Sequence, residues 1–546
     1  MFCTVALVMI WLASGIAAVE ERHHDVVVVG AGVSGLAAIW ELARSGINVA
    51  VIEMSHSYGG AALLSEGRIC IIGTPEQAQA GMNDSPQIAF EDFMEFGRGE
   101  GDSGPNAGWV HYYVTGSRRE IYDWLTGLGV RFEKEVGLMP GNRVPRWHQV
   151  IGKGRGLVDP IYRECTRTGN VTFFWNTWAV SLLRDGDRIR GVRAEQLRDG
   201  AKIDYLAPVV ILATGGFQGN MNMVRDYWPT GLPFPERLLI GAGVNAVGSG
   251  HEMAQAVSAQ LKNMSNQWNY ATGLPDPLDQ SGRRGLNAFS QQSIWVNKEG
   301  RRFVSESQDT RATFAEVLRQ PGGTYWSIFD SLARGTFFVS GWDRQMIESK
   351  IFDNPAMRPF VRSAPTVREL AGAAGLPPDA VEETVRRWNE MVTGGRDAGF
   401  DRIGGSQTPW SHPPRIERPP FYAVQFFPLT RKSMGGVAID QSCRVIDISG
   451  RPIPGLYAVG ELSGLAGING KAALEGTFLG PAIVTGRVAG RAVVAELATR
   501  RKNDRQPPGA DSQIQSEHKE AKASQGGTTE NERGYSLSGA IIKIYE

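Results

Sequence analysis

The sequence predicts an α/β fold in which a dinucleotide-binding domain is interrupted by a second domain and completed late in the chain. A glycine-rich turn lies between an apolar strand and a helix within residues 26–43, which is the arrangement of a nucleotide-binding βαβ unit. From about residue 267 the chain becomes loop-rich and helical, and strands typical of the first domain return after residue 430. The interruption and the late return predict two folded domains built from three segments.

The composition is that of a folded protein without a global charge. The chain has 546 residues, of which 42% are hydrophobic and 21% charged, and Lys plus Arg equal Asp plus Glu at 57 each. This length predicts two or three domains, because single hydrophobic cores stop growing beyond about 250–300 residues. A net charge near zero gives no field that would attract nucleic acid, so any electrostatic preference for a ligand must be local.

The amino-terminal segment predicts a secretory route. Residues 3–19 are apolar and uncharged and end in small residues, which is typical of a signal peptide, here residues 1–18, or of an uncleaved anchor. The sequons at Asn83, Asn170 and Asn263 agree with a secreted or lumenal glycoprotein. The four cysteines show no paired spacing, so we expect neither a metal site nor a disulfide framework.

The first part of the dinucleotide-binding domain is predicted at residues 25–266. Its first strand, 26–29, is continuously apolar, as expected for a strand covered on both faces, and the second strand ends at Glu53. Residues 171–213 predict a short antiparallel meander with turns at "RDGD" and "RDGA". Residues 248–261 predict a helix behind a glycine turn.

The second domain is predicted at residues 267–430, with helices at 366–375 and 378–392. It ends in a proline-rich stretch, "SHPPRIERPPFYAV", which we interpret as a connector. The second part of the first domain follows at residues 431–500. The polar segment 501–546 has almost no aromatic residues and is predicted to be a disordered tail.

The glycine turn predicts a cofactor with a pyrophosphate. Gly30, Gly32 and Gly35 form the pattern G-x-G-x-x-G, in which the first glycine permits the turn, the second admits the pyrophosphate and the third packs the helix on the strand. The backbone of the helix start, at Val33 and Ser34, then faces the phosphates. Glu53 is placed to bind unphosphorylated ribose hydroxyls, which favours FAD or NAD over NADP. The alternative is a glycine turn without a ligand.

Later segments favour FAD over NAD, because an extended cofactor must be contacted from several points of the chain. These segments are "SYGGAALLSEG" at 57–67, "ATGGF" at 213–217 and "GLYAVGELSG" at 455–464. The predicted cofactor contacts beyond the glycine turn are Glu53, Gly59, Gly60, Ala61, Ala179, Val180, Ala213, Thr214, Gly215, Gly460, Glu461, Gly476 and Thr477.

The phrases "VNKEGRRFVSE", "MGGVAID" and "PIPGLYAVGE" occur in this order, and the chain resembles the fumarate reductase/succinate dehydrogenase flavoprotein family over residues 25–498. That family also includes urocanate reductases, 3-ketosteroid dehydrogenases and tricarballylate-type dehydrogenases. The resemblance implies a bipartite Rossmann-like FAD domain of the GR2 type with an inserted α+β capping domain. Family members with covalent flavin carry a histidine where this chain has Ala61, so we expect non-covalent FAD. No CxxCH haem motif occurs.

The resemblance also implies a reaction, in which hydride transfer at flavin N5 is coupled to a proton transfer at the adjacent carbon. In fumarate reductases an arginine shortly after the "RF" of "EGxRF" moves the proton, and Arg311 is the matching residue here. The alternative is that Arg311 pairs with Asp309, with Glu306 or with solvent.

The positions that bind fumarate in the family depart from its pattern here. The segment 266–270 has no histidine, Arg431 and Lys432 precede "MGG" in place of another histidine, and Lys471 matches the second arginine. These departures argue against fumarate itself. If Arg311, Arg431, Lys432 and Lys471 converge on the flavin, their charge favours a substrate with a carboxylate or an enolate-forming carbonyl.

We therefore predict an FAD-dependent oxidoreductase that reduces or forms a C=C bond next to a carbonyl or carboxylate. Its predicted catalytic residues are Arg311, Arg431 and Lys471. Its partners are a small-molecule substrate and an unidentified electron donor or acceptor, without nucleic acid. One alternative is a 3-ketosteroid-type dehydrogenase acting on a neutral, bulky substrate, and another is a non-catalytic flavin electron carrier.

Overall fold

The structure is a computed structural model that describes residues 19–99, 103–403 and 413–503. The predicted signal peptide and nearly all of the predicted tail lie outside these described residues. The chain divides into two units, 1–494 and 495–546, and the sheets and the site below belong to the first unit. Within the described ranges, no helix is both long and apolar enough to cross a membrane.

A six-stranded sheet organises the first part of the chain, and its central strand is Val26–Val29. All four valines are buried, because this strand pairs in parallel with Val49–Ile52 on one side and Val210–Leu212 on the other. The strand order across the sheet is Arg444–Ile446, Pro452–Ala458, Val210–Leu212, Val26–Val29, Val49–Ile52 and Val171–Phe174.

The late return of the first domain is visible in this sheet. Pro452–Ala458 pairs in parallel with Val210–Leu212, with Leu456 opposite Val210. Residues from two distant segments therefore share one hydrophobic core, which includes Val29, Leu212 and Ala458. The predicted interrupted α/β fold is confirmed.

A second sheet contains the predicted meander. Thr177–Asp185, Arg188–Gln196 and Lys202–Leu206 run antiparallel to their neighbours, and Glu20–His23 adds a parallel edge strand. The ends of the predicted stretch, at 171–174 and 210–212, join the six-stranded sheet instead.

The segment between the two parts builds a larger sheet than its loop-rich sequence indicates. Its longest strand, Phe421–Ser433, has almost only buried residues and runs across residue 430, the predicted domain boundary. The proline-rich connector therefore leads directly into this strand, where Tyr422 accepts a hydrogen bond from Arg334 at 2.9 Å. The strand order is Ile294–Val296, Tyr325–Phe329, Phe421–Ser433, Gln267–Pro275, Gly285–Phe289 and Phe338–Val339, with Leu239–Ile240 and Val361–Ala364 also paired to Phe421–Ser433.

Two small sheets and the helices complete the described chain. The predicted helix at 248–261 ends at Gln255, and the carboxyl-terminal helix continues through Asn503 into the segment predicted as tail. The small sheets pair Leu261–Lys262 with Gly436–Val437, and Trp147–Val150 with both Arg68–Cys70 and Phe132–Gly137. The α-helices are Val33–Ala43, Pro75–Gln79, Pro86–Phe96, Ala107–Ser117, Trp124–Gly127, Lys153–Thr166, Met221–Asp226, Ser249–Gln255, Thr310–Leu318, Ser331–Arg334, Arg344–Ile347, Val367–Ala373, Pro378–Gly394 and Leu479–Asn503.

One of the three sequons is engaged in the fold. The side-chain nitrogen of Asn170, to which a glycan would be attached, donates hydrogen bonds to the carbonyl oxygens of Ala43 at 3.0 Å and Ile47 at 2.7 Å. Glycosylation of Asn170 would have to break both bonds. Asn83 is exposed and Asn263 is half-buried.

Candidate functional site

The glycine turn joins the strand Val26–Val29 to the helix Val33–Ala43, and its three glycines have different surroundings. Gly30 has a φ of +105°, and a Cβ there would lie 2.4 Å from the carbonyl oxygen of Ala213. A Cβ at Gly35 would lie 2.1 Å from the carbonyl oxygen of Gly30, whereas a Cβ at Gly32 would have no atom within 4 Å. Gly32 therefore faces open space at the amino end of the helix, where unpaired N–H groups favour a phosphate.

Glu53 stands beside this turn, directly after the strand Val49–Ile52. Its carboxylate accepts hydrogen bonds from the backbone N–H of Ala31 at 2.7 Å and of Ser55 at 2.8 Å. The carboxylate is therefore held in one orientation at the edge of the open space.

The open space is part of a large cavity of about 1250 Å³. The rest of the cavity continues from the glycine turn to the long strand Phe421–Ser433 of the second large sheet. The predicted cofactor residues that line it are Gly30, Gly32, Val33, Ser34, Glu53, Gly59, Gly60, Ala61, Ala179, Ala213, Thr214, Gly215, Glu461 and Gly476.

Four predicted cofactor residues do not line the cavity. Gly35 faces the turn, and a Cβ at Gly460 would lie 2.4 Å from the Ser34 hydroxyl. Val180 lies at an irregularity of its strand between Ala179 and Ser181 and is 40% exposed. Thr477 is fully buried, and its hydroxyl donates to the carbonyl of Leu474.

The residues present fit an FAD molecule. The open position at Gly32 can admit a pyrophosphate, and the buried hydroxyl of Thr214, which has no partner in the described chain, is available to a ligand. Ala61 has no nucleophilic atom, although His56 also lines the cavity. The contact of each individual residue with the cofactor stays a prediction.

Two cations lie at the end of the cavity formed by the long strand. Arg431 donates a hydrogen bond to the carbonyl oxygen of Gly241 at 2.7 Å, and its guanidinium carbon is 5.5 Å from the centre of the Tyr270 ring. The Nζ of Lys432 is 3.6 Å from the centre of the Phe478 ring. Desolvation and the neighbouring charge of Arg431 lower the pKa of Lys432 to about 8.

Two carboxylates accompany these cations and were missed by the sequence interpretation as charge partners. Glu461 accepts hydrogen bonds from the backbone N–H and the hydroxyl of Ser433 at 2.9 and 3.1 Å. Glu475 also lines the cavity, and its side chain makes no hydrogen bond within the described chain. Desolvation raises the pKa of both carboxyl groups. The sequence feature that could have identified Glu475 as a cavity residue is its position immediately before Gly476, a predicted cofactor residue.

The structure does not bring Arg311 and Lys471 to the cavity, so the predicted ring of cations is not assembled. Arg311 is the second residue of the helix Thr310–Leu318 and is exposed. Thr310 and Thr313, three residues apart on one helix face, line the cavity instead. Lys471 is also exposed, and its backbone N–H donates to the carbonyl oxygen of Gly97 at 3.0 Å. Of the three predicted catalytic residues, only Arg431 lines the cavity.

No metal centre is apparent in the three described ranges, which contain no group of three or more His, Cys, Asp and Glu side chains suited to holding an ion. His148 is fully buried and contacts the hydroxyl of Thr74 and the carbonyl of Arg146, both at 2.8 Å. It therefore serves packing rather than the cavity.

Known proteins share this architecture. A family model described as "FAD binding domain" matches residues 25–479. The KsdD-like steroid dehydrogenase of Mycobacterium tuberculosis is 29% identical over 556 residues, which cover 88% of this chain and 97% of that protein. The fumarate reductase (cytochrome) of Shewanella frigidimarina is 30% identical over 482 residues, which cover 87% and 78%. The solved structure of the open conformation of a flavocytochrome c3 fumarate reductase has a TM-score of 0.71 at 27% identity, covering 88% of this chain and 79% of that chain.

The family model spans most of the chain, and the predicted resemblance and the predicted FAD cofactor are thereby confirmed. The chain belongs to the FAD-binding domain family and is an FAD-dependent oxidoreductase acting on CH–CH groups.

Proposed function

We propose that the enzyme forms or reduces a C=C bond next to the carbonyl group of a bulky, largely apolar ketone. The observation that carries this proposal is the charge balance at the end of the cavity. Arg431 and Lys432 are accompanied there by Glu461 and Glu475. A buried cation is stabilised by nearby negative charge, and here Glu461 and Glu475 exert it on Lys432 without a direct ion pair.

A small dicarboxylate would need a large surplus of positive charge, whereas at this end of the cavity Glu461 and Glu475 offset two of the three cations Arg68, Arg431 and Lys432. Arg311 and Lys471, which would have provided it, are exposed and lie outside the cavity lining. A carbonyl oxygen needs only one or two hydrogen-bond donors, and it carries full negative charge only as an enolate during the reaction. Arg431 can stabilise that developing charge.

The size and lining of the cavity support a large apolar substrate. Pockets for a single drug-sized ligand measure about 300–1000 Å³, and this cavity has about 1250 Å³ for the cofactor and the substrate together. Its apolar lining includes Phe96, Trp147, Phe289, Trp295, Phe338 and Phe478. Burying a ring system against such side chains contributes about 25 cal/mol per Å² of apolar area.

The relatives agree with a fused-ring ketone as the first candidate. The KsdD-like steroid dehydrogenase aligns over 97% of its own length, and the fumarate reductase over 78%. Bound FAD supplies the hydride acceptor in the oxidising direction and the hydride donor in the reducing direction. The chain orients the ketone between the aromatic lining and Arg431, so that one face of the reacting bond is held toward the cofactor.

Anaerobic stopped-flow bleaching of the FAD absorbance tests this function. The panel contains 4-androstene-3,17-dione, 5α-androstane-3,17-dione, succinate and imidazole propionate, which differ in size and in carboxylate content. We expect a steroid ketone to bleach the holoenzyme and the two carboxylates to leave it oxidised. Bleaching by a carboxylate alone would overturn the proposal in favour of an acidic substrate. Reduction by dithionite and by no member of the panel would favour an electron carrier.

A matched pair of variants sharpens the result. Arg431→Met removes the donor at the carbonyl oxygen, and we expect the bleaching rate to fall about 100-fold or more, which is the usual effect of losing one donor to a developing oxyanion. Arg311→Met changes an exposed arginine outside the cavity, and its rate should match the wild type. Equal rates for wild type and Arg431→Met would contradict the assigned role.

A further inference from the structure

Lys432 and Glu475 are two half-buried groups of opposite charge that line the cavity, and among the described residues the ammonium group of Lys432 contacts only the face of the Phe478 ring. Neither side chain makes a hydrogen bond or an ion pair with any residue in 19–99, 103–403 or 413–503. Buried polar groups are normally paired, so two unpaired groups at one end of a binding cavity point to the contents of that cavity.

We infer that Lys432 and Glu475 form the proton-exchange pair of the substrate site, with Lys432 Nζ exchanging the proton at the substrate carbon next to the carbonyl. This inference rests on the proposed function, because it requires such a carbon.

The backbone holds both groups in place. Lys432 lies on the long strand directly opposite Trp268 of the neighbouring strand, and its Nζ is 3.6 Å from the centre of the Phe478 ring. Glu475 precedes Gly476, which has a φ of +88°, where a Cβ would lie 2.7 Å from a backbone nitrogen. The loop that carries Glu475 is therefore tightly packed, and its side chain is directed by a constrained turn.

The charges around Lys432 keep its proton exchangeable. Desolvation is the largest effect on its pKa and lowers it, and Arg431 on the same strand lowers it further. Glu475 and Glu461 act in the opposite direction. The resulting pKa of about 8 lies near physiological pH, where a general acid or base is most effective.

The charges around Glu475 bring its pKa toward that of Lys432. Desolvation raises the pKa of the Glu475 carboxyl group, and Lys432, Arg68 and Arg431 limit the rise. Tyr270 is the titratable group on the neighbouring strand, and desolvation and the charge of Glu475 raise its pKa. The pKa values of the two groups are therefore closer together than those of a free lysine and a free glutamate.

The other polar groups nearby are less suited to this step. Arginine side chains do not lose their proton in proteins, so Arg431 can polarise an oxygen but cannot act as a base. Tyr270 keeps its proton at physiological pH because its pKa is raised. Lys432 is the cation at this end of the cavity that exists in both protonation states near neutral pH.

The step balances in both directions. During oxidation the C–H bond at the carbon next to the carbonyl breaks, and its proton goes to the neutral amine of Lys432. The electron pair of that bond would form the new C=C bond, and bound FAD would supply the acceptor for the hydride of the neighbouring carbon. Because the two side chains are not hydrogen-bonded to each other, Lys432 then passes the proton to the Glu475 carboxylate through a water molecule. During reduction Glu475 and Lys432 return the proton to the same carbon.

The first arm of the test needs no substrate. The visible spectrum of the FAD holoenzyme is recorded from pH 6 to pH 10. The proteins compared are the wild type, Lys432→Met, Glu475→Gln and the control Lys262→Met. Lys262 is an exposed lysine on a strand outside the cavity. We expect a spectral transition near pH 8 in the wild type and in Lys262→Met, and none in Lys432→Met. In Glu475→Gln the midpoint should move to lower pH, because Glu475 raises the pKa of Lys432. A transition that persists in Lys432→Met, or none in the wild type, overturns the inference.

The second arm measures the bleaching rate with 4-androstene-3,17-dione as a function of pH. The wild-type rate should rise with a midpoint near pH 8, as neutral Lys432 accumulates, and Lys432→Met should be at least 100-fold slower without this rise. Lys432→Arg keeps the charge but cannot act as a base, so it should be as slow as Lys432→Met. A fast Lys432→Arg would show a binding role only and overturn proton exchange.

The two arms separate the inference from the function on which it rests. If the steroid bleaches neither the wild type nor any variant, the proposed function fails. The spectral titration still decides in that case whether Lys432 and Glu475 titrate together. If the steroid bleaches the wild type and all variants equally, the function stands and the proton-exchange pair is refuted.

Discussion

Replacing Gly32 with alanine separates cofactor binding from folding, because the two effects have opposite signs. Gly32 has a φ of −70° and a ψ of 176°, a backbone conformation that alanine adopts without strain. A Cβ there meets no protein atom within 4 Å. The added methyl group therefore occupies only the open space in front of the helix Val33–Ala43, which is the space available to a pyrophosphate.

The magnitude follows from the hydrogen bonds that the methyl group prevents. A hydrogen bond to a charged group contributes about 1.5–3 kcal/mol. Displacing a phosphate from two N–H groups at the helix start therefore costs at least about 3 kcal/mol, which weakens FAD binding about 100-fold. The apoprotein should instead gain about 0.4–1 kcal/mol, because alanine restricts the unfolded chain more than glycine does.

Two measurements check this prediction. The Kd for FAD is obtained by titrating the apoprotein and following the quenching of flavin fluorescence, and the stability of the apoprotein is obtained by urea denaturation. Gly372→Ala is the control, since a Cβ at Gly372 also meets no atom within 4 Å but lies in the helix Val367–Ala373, away from the cavity. The control should gain stability and bind FAD like the wild type. A Gly32→Ala protein that binds FAD within threefold of the wild type would refute the assignment of this open space to the pyrophosphate.

Two further predictions concern buried ionisable groups outside the reaction. Glu306 pairs with Arg302 at 2.7 Å and with Arg402 at 3.0 Å, and all three side chains are at most 5% exposed. Arg302 also pairs with Asp397 at 3.0 Å. Glu306→Gln should therefore lower the free energy of unfolding by about 3–5 kcal/mol, because it removes one carboxylate from this buried cluster and leaves a net positive charge. Glu316→Gln at an exposed pair should change it by less than about 1 kcal/mol, and equal losses in urea denaturation would contradict this. Burial lowers the pKa of His251 from 6.5 to about 4, so between these values the unfolded chain binds a proton that the folded chain does not, and stability falls as the pH falls. Between pH 7 and pH 5 the wild type should lose about 2 kcal/mol more than His251→Phe, and equal losses in the two proteins would show that His251 does not stay neutral.

The nucleotide side of the fold could be predicted from the sequence because its chemistry constrains the backbone. Close approach to a phosphate requires glycine at fixed spacing, so the roles of Gly30, Gly32 and Gly35 can be predicted without a structure. The strand Val26–Val29 can be predicted as well, because an unbroken apolar run is typical of a strand covered on both faces. The large sheet around Phe421–Ser433 was not predicted, since prolines before this strand resemble those of a connector.

The substrate side was predicted less well because it depends on side-chain direction. Arg311 lies within three residues of Thr310 and Thr313, and both threonines line the cavity. A change of one position along a helix turns a side chain by about 100°, so Arg311 is exposed although its neighbours are not. Sequence spacing locates such a residue near the site but does not decide which face of the helix carries it.

The charge of the substrate depends on the carboxylates as much as on the cations. Arg431 and Lys432 taken alone indicate an anionic substrate, and the sequence interpretation counted only cations. Glu475 changes this conclusion, because its nearby negative charge, although it forms no ion pair with Lys432, partly offsets the buried positive charge before any ligand binds. The same carboxylate keeps the lysine proton mobile, since it stabilises the ammonium form against desolvation. One residue thus links the preference for a neutral ketone to the means of moving its proton, and Glu475→Gln should alter both.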